Sequence, residues 1–287
     1  NVAELVNGGK TDINITLEKN IDLTGKDWTP IGTDYDNSYK GTFDGGGHTI
    51  TGLTFTTNDE YAGLFGWLNR AGTVKNVVME GVQITSNQIY GGSIGGVVGY
   101  SWGTIENCSV SGSVSGTVYV GGVVGAQIGG SITGCSSSAT VKGMVDVGGV
   151  AGEKWGSMTA CYATGNVTLE IDSPKNLSGG GLVGFNGGSS VLACYATGNV
   201  TSTGSSTGNV HIGGFLGNNY TTVTACYWKN NHEQGIGYNK ESTEATEVDG
   251  SVVTWQKAVD AMNTALQTAG SKWRYELNGA LPTLRKL

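Results

Sequence analysis

Residues able to do chemistry are few in this chain, and most fall at regular places. Five cysteines, Cys108, Cys135, Cys161, Cys194 and Cys226, run through its middle. Between residues 100 and 229 the carboxylates are Glu106, Asp146, Glu153, Glu170 and Asp172. Only Glu170 and Asp172, with Lys175 nearby, share a long connection of the kind that carries acid–base work. Asp34, Asp36 and Asp44 sit in a turn-rich stretch, where aspartate usually shapes the backbone. The three histidines, His48, His211 and His232, are far apart. There is no Cys-x-x-Cys, so neither a metal nor a cofactor is expected. Gly91–Gly95 and Gly99–Gly103 fit Gly-x-Ser-x-Gly, and Gly179–Gly184 fits Gly-x-Gly-x-x-Gly. With 50 glycines such matches arise from composition, and the strand–turn–helix context they need is missing. No catalytic residue is assigned.

What positions these residues is a repeat. Six short glycine blocks have their second residue at Gly63, Gly96, Gly122, Gly149, Gly181 and Gly214, spaced 33, 26, 27, 32 and 33 apart. From the last five, the cysteines follow at offsets of 12, 13, 12, 13 and 12. Val77 takes the cysteine place in the first copy. Length varies only between the cysteine strand and the next block. Constant strand pairs joined by variable connections indicate stacked rungs. Valine, isoleucine and threonine alternate with period two, and helix signals are absent from about residue 10 to 250. The expected fold is all-β: a single right-handed parallel β-helix with two or three short strands per turn. The block glycines should mark one corner, where φ > 0 or close backbone approach is needed.

The Gly-Leu-Val-Gly blocks, followed by Ala-Cys-Tyr-Ala-Thr-Gly-Asn-Val at 193–200, resemble the GLUG repeat of bacterial surface proteins. That family includes adhesin-like proteins of gut Bacteroidetes and non-catalytic regions of some secreted proteases. The run from Leu23 through Trp28-Thr-Pro-Ile-Gly32 to Phe43-Asp-Gly-Gly-Gly-His48 is similar to the stretch that precedes such repeats. The resemblance implies an exported surface or secreted protein, adhesin-like and non-catalytic, with a glycan or a host or bacterial surface protein as partner. Two alternatives stand beside it: a carbohydrate-active β-helix enzyme, a lyase or hydrolase, and a passive stalk within a longer protein.

Register gives the residues their directions. Cysteines at one offset stack about 4.8 Å apart with parallel side chains, a poor geometry for a disulfide. They are expected inward and reduced. If Cys161, Ala163 and Val167 point inward, Tyr162 points outward, and so do Tyr195 and Tyr227. This tyrosine column is the first candidate binding surface; its alternative use is to be covered by another segment or to stack within the sheet. Trp102 and Trp155 share a second offset and are further candidates, although Ile128 and Gly187 interrupt their row. The long connections 168–178 and 201–210 should project from one side.

The ends read differently. Residues 1–60 form an N-terminal cap with opening strands, Ala3–Val6 being the tail of a capping helix; 61–233 hold six rungs; 234–287 are a C-terminal cap. In that cap Thr254 starts a helix from Trp255 to about Ala269, and Asn278-Gly279 turns a hairpin. The whole is expected to be one solenoid domain. A net charge of −7 and a pI of about 4.9 remove the electrostatic footprint for nucleic acid. No apolar run approaches a membrane span. The chain begins at Asn1, so its natural N-terminus is expected upstream.

Overall fold

A rung of this protein is built from short strands in four sheets that follow one another around a narrow core. The computed structural model describes residues 2–172 and 176–287. In one rung the chain passes through Tyr119–Gly121, Val124–Gln127, Ser131–Thr133 and then Ser136–Ser137 with Thr140–Gly143. Each segment pairs in parallel with its equivalent in the next rung, giving four sheets, here sheets 1 to 4 in that order. The fold is therefore an all-β parallel solenoid of about seven turns. Its rungs pass through four sheets, with five short strands in the rung above, where two or three strands per turn were expected.

The glycine blocks form the corner between sheets 1 and 2, and the cause is contact. None of the block glycines has positive φ. A Cβ on Gly149 would lie 2.2 Å from the carbonyl oxygen of Gly181 and 2.6 Å from Cβ of Ala163. Gly122 meets Ser137 in the same way, and Gly181 meets Ala196. The second block residue thus faces the inward residue of sheet 4, two places after the cysteine, across a core with room for one side chain. The left-handed corner lies elsewhere, immediately before the cysteine row. Asn76, Asn107, Ala160, Ala193 and Ala225 have φ between 49° and 56°, and Gly134 has φ 65°. That turn points Val77 and all five cysteines inward, where the thiols are free and buried as expected. Each cysteine sulfur donates to the carbonyl two residues before it, as Cys161 does to Thr159 at 3.3 Å. Burial holds the thiols of Cys108, Cys161 and Cys194 well above the ordinary range, so they are unreactive packing groups.

Inside sheet 2 the core turns polar. One inward row runs Leu68, Ser101, Gln127, Lys154, Asn186, Asn219 and Asn239. Asn186 donates to Asn219 at 2.7 Å and Asn219 to Asn239 at 2.8 Å. The fully buried Lys154 ammonium donates to Asn186 Oδ1 at 2.6 Å and to the Ser189 carbonyl. Burial lowers its pKa to about 7.

Both ends are closed by side chains. Helix α1 (Val2–Asn7) buries Ala3 and Val6, and Asn7 hydrogen-bonds both Pro30 and Gly32. At the far end the rungs continue past residue 233. Ile236–Asn239 pairs with Leu216–Asn219, Thr246–Glu247 pairs with Tyr227–Trp228, and the Trp228 ring fills the core against Gly214 and Gly235. The long connections leave from one side, with Val167–Glu170 paired to Val200–Thr203. The expected helix and hairpin are present as α2 (Trp255–Thr268), N-capped by Thr254, and as strands Trp273–Glu276 and Thr283–Lys286. They lie along the flank of the solenoid, against sheet 4, and not over its open end as a cap would.

Two outcomes test this account. Gly149→Ala should cost at least about 2 kcal/mol in denaturant unfolding, while Gly279→Ala, with open space around it, should cost little. The unfolded chain keeps the Lys154 proton up to the ordinary 10.5, whereas the folded chain releases it near 7. Between those values unfolding takes up a proton, so this group's penalty shrinks as pH rises. The stability gain of Lys154→Met over the parent should therefore fall by on the order of 1–2 kcal/mol from pH 7 to 9.

Candidate functional site

The tyrosine column exists as the register required. Tyr162, Tyr195 and Tyr227 are direct neighbours on sheet 4, opposite to the core, and the rings of Tyr162 and Tyr195 stack at 4.9 Å and 2°. It is not an accessible strip. Tyr195 is fully buried and Tyr227 is 9% exposed, because α2 and the hairpin lie on them. Val259, Met262, Leu266 and Trp273 complete that second apolar layer. Tyr195 donates its hydroxyl to the Pro282 carbonyl at 2.6 Å, and Tyr275 donates to that of Ala193 at 2.9 Å. Trp273 lies flat against Gly134, and Lys286 pairs with Glu106 at 2.6 Å. The column is the seat of the C-terminal segment, which corrects its candidacy as a binding surface.

The exposed aromatic face lies on sheets 1 and 2. Two outward rows meet there across the glycine blocks. Sheet 1 presents Tyr61, Ser93, Tyr119, Asp146, Ser178 and His211 in register. Sheet 2 presents Trp67, Tyr100, Ala126, Glu153, Phe185, Asn218 and Tyr238. Seven rungs at ~4.8 Å make a face about 30 Å long. At one end Tyr61, Trp67 and Tyr100 touch, with ring centroids 4.4–5.4 Å apart, and Tyr35 meets Trp67 at 6.0 Å. At the other, Trp155, Phe185, Tyr220, Tyr238 and His211 form a chain of ring contacts 5.1–5.8 Å apart.

Both tryptophan candidates border this face. Trp155 is 41% exposed and donates its indole N–H to Glu153 at 2.7 Å. Trp102 is half-buried, hydrogen-bonds Tyr100, and lies under the Arg70 guanidinium at 5.4 Å. The sequence therefore placed the tryptophans beside the face and missed the face itself.

Between the aromatic groups sit two carboxyls. Asp146 and Glu153 occupy neighbouring strands of a single rung, one on each side of the block at Gly148 and Gly149. Burial raises the Asp146 pKa to about 7; the nearby Glu153 charge adds to this and a hydrogen bond from Ser178 opposes it. Burial also raises Glu153, against the hydrogen bond from Trp155. Tyr119 is pushed up to about 12 by burial and by both carboxylates. The other acid pair has ordinary partners: Glu170 pairs with Lys142 at 2.8 Å and Asp172 accepts from Ser205 N–H. Lys175, read with them, lies outside the described residues. Asp34 caps its own turn at Asn37, and Asp44 pairs with Lys75.

A model of the GLUG motif matches residues 90–115, 116–142 and 176–201. The chain carries GLUG repeats. Halomucin of Haloquadratum walsbyi is 38% identical over 120 residues, which are 38% of this chain and 1% of that protein. A protein of Evansella cellulosilytica named for a Gly-rich membrane protein is 37% identical over 103 residues, 33% of this chain and 12% of that one. The chain thus spans a small part of either relative. A crystal structure from Bacteroides ovatus, described as a candidate immunoglobulin A1 protease, superposes with a TM-score of 0.73. It covers 99% of this chain and 89% of that one at 20% identity, a likeness of fold. No helix among the described residues is long and apolar enough to cross a membrane.

The seating of the C-terminal segment is testable. Trp273→Ala should cost about 3–5 kcal/mol and Met262→Ala about 2–5 kcal/mol. Amide exchange across 255–287 should accelerate in both; unchanged protection would mean that sheet 4 does not hold this segment.

Proposed function

We propose that this protein is a non-catalytic, surface-displayed binding protein, and that a saccharide chain lies along the outward face of sheets 1 and 2. The observation that carries the proposal is the pair of aromatic groups set along one face, half-buried at Tyr61, Trp67, Tyr100 and Phe185 and exposed at Tyr35, Trp155, Tyr220 and Tyr238. Pyranose rings offer apolar C–H faces that stack on aromatic rings and hydroxyls that bond to carboxylates and amides. This face supplies both kinds of partner along one axis. A rung rise of ~4.8 Å is close to the length of one sugar unit, so a polymer parallel to the solenoid axis meets equivalent positions in successive rungs. The GLUG repeats and the halomucin likeness support a surface location.

The test is binding to a glycan array, followed by calorimetry on the best ligand. Trp67→Ala with Tyr100→Ala, and separately Phe185→Ala with Tyr220→Ala, should each weaken binding by about tenfold or more. Val252→Ser, at an exposed position remote from the face, should not. Equal affinity in all variants that keep the parent's thermal melt would remove the face from the proposal. Release of shorter saccharides during incubation would replace binding by hydrolysis or elimination at Asp146 and Glu153.

A further inference from the structure

We propose that the outer edge of Val210–Gly213 on sheet 1 takes up one strand of another polypeptide, a segment with a lysine between two aliphatic residues. This surface is separate from the saccharide face. It consists of backbone groups and inward side chains at the end of the solenoid.

The final rung leaves out its sheet 1 strand. After Tyr227–Trp228 on sheet 4 the chain reaches Ile236–Asn239 on sheet 2 through residues 229–235, with no strand between them. Sheet 1 therefore ends one rung early, at Val210–Gly213, which pairs with Leu177–Gly180 and has no strand on its other side. Register gives the direction of its backbone groups. Two rungs back, the Val145 carbonyl accepts from Ser178 N–H of the following rung at 2.6 Å. Val210 holds the place of Val145, and Ile212 that of Val147. The Val210 carbonyl and both backbone groups of Ile212 thus point to where the missing strand would lie. Gln234 Nε2 donates to the Ile212 carbonyl alone, at 3.4 Å and from an exposed position. Other edges at this end are closed by side chains. Asn231 both accepts from the Val200 N–H and donates to its carbonyl, and Thr243 Oγ1 accepts from the Val223 N–H at 3.0 Å. Beyond Val200 the sheet 4 edge is polar, with exposed Thr201, Ser202 and Thr203, whereas the sheet 1 edge carries half-buried Val210 and Ile212. An aliphatic edge left unblunted is a template for strand addition.

Space for the strand is present. A cleft of about 580 Å³ lies between Val210 and Ile212 on one side and residues 231–234 on the other. Its walls set the pattern of the occupant. A residue opposite His211 turns outward beside the His211–Tyr238 ring pair, and its two neighbours turn inward over Val210 and Ile212. Those two neighbours are therefore aliphatic. The charge follows from the rim. Glu233 lines this cleft and also the adjoining one, which holds Glu244 and Glu247. Among the described residues no ion pair reaches any of the three; the pairs seen are Lys75–Asp44, Lys142–Glu170, Arg285–Glu276 and Lys286–Glu106. Residues 229–249 hold five carboxylates and two lysines, so this end of the solenoid is acidic. A cation on the incoming strand is attracted there and an anion repelled.

The experiment titrates the intact chain into a fluorescent peptide of about ten residues built around Val-Lys-Val-Gly, read by anisotropy. In register, the peptide lysine lies opposite His211, donates its backbone N–H to the Val210 carbonyl and accepts from the Ile212 N–H. Methylating that lysine's backbone nitrogen should weaken binding by about tenfold or more, whereas methylating the nitrogen of the second valine, which points away from the edge, should change it by less than about twofold. Glutamate in place of the lysine should weaken binding about fivefold, and Glu233→Gln should narrow that gap. Hydrogen exchange at the Ile212 amide should slow when the peptide is bound. Ile212→Pro removes an N–H that pairs with no strand of the fold and should abolish binding; should this variant unfold, the two methylated peptides carry the test on the parent. Equal affinity for the two methylated peptides, or no saturable binding of the lysine peptide, overturns the proposal. Self-association of the parent that Ile212→Pro abolishes assigns the edge to a second copy of this chain and also overturns it.

Discussion

Every rung depends on one close approach, that of the glycine block to the strand across the core. Backbone carbonyls lie where a Cβ on Gly148, Gly149 or Gly180 would sit. Sheets 1 and 2 are therefore folded against each other with no side chain between them at the corner. The consequence is a core one residue thick: Ser137, Ala163 and Ala196 face the blocks from sheet 4 in the middle rungs, Ile50, Met79 and Val110 hold that row in the earlier ones, and a large ring appears only at the last rung, as Trp228. The same folding brings the outward rows of sheets 1 and 2 side by side. The candidate site is thus a direct product of the glycine blocks that make the fold, although no block glycine belongs to it.

The flank on sheet 4 shows a different solution to a common problem. A parallel solenoid has an apolar core along its axis and needs little outside it. Yet Tyr162, Tyr195 and Tyr227 place three rings on an outer face, and an uncovered column of this kind is a site for association. The chain covers it with its own last segment. Hydroxyls then do what apolar contact cannot. Tyr275 reaches carbonyls of two successive rungs, those of Cys161 and Ala193, and Tyr195 reaches back to Pro282. These bonds fix where along the solenoid the segment sits, which area alone does not do.

Much of the fold was legible because the repeat writes it in register. The offset from Gly149 to Cys161 fixed the inward row, and period two then fixed Tyr162 as outward. What register could not supply was the neighbour. Nothing in Tyr195 tells whether α2 or water lies on it, since both suit an amphipathic ring. The candidate face was missed for another reason. Its sheet 2 row stands four residues after the second block glycine, at Trp67, Tyr100, Ala126, Glu153, Phe185 and Asn218. The offset is constant, but the residue type is not, and a search for identical residues passes over it. Asp146 and Glu153 looked unrelated because their offsets differ; the fold of the block places them together in one rung. The positive φ moved from the expected glycines to Asn and Ala before the cysteines for a related reason. That corner turns away from the core, where a Cβ fits, whereas the block corner has no space for one at any φ.

Asp146 and Lys154 sharpen the distinction between structure and function on opposite sides of one rung. Both are buried, and neither has a partner of opposite charge. The lysine extends a ladder of amides through Asn186, Asn219 and Asn239, so its cost is set against hydrogen bonds that hold rungs in register, while Gln127 Oε1 on the neighbouring rung has no donor among the described residues. Such a group needs no ligand to be explained. Asp146 has no ladder: Ser93, Tyr119, Ser178 and His211 occupy its row, and the hydrogen bond from Ser178 passes the unsatisfied oxygen on to Asn218. Each row leaves one buried amide oxygen without a donor among the described residues, Gln127 Oε1 inside and Asn218 Oδ1 outside. What separates the two rows is the run of bonds: the inner one passes rung to rung from Lys154 through Asn186, Asn219 and Asn239 to Thr243, whereas the outer one stops at Asn218.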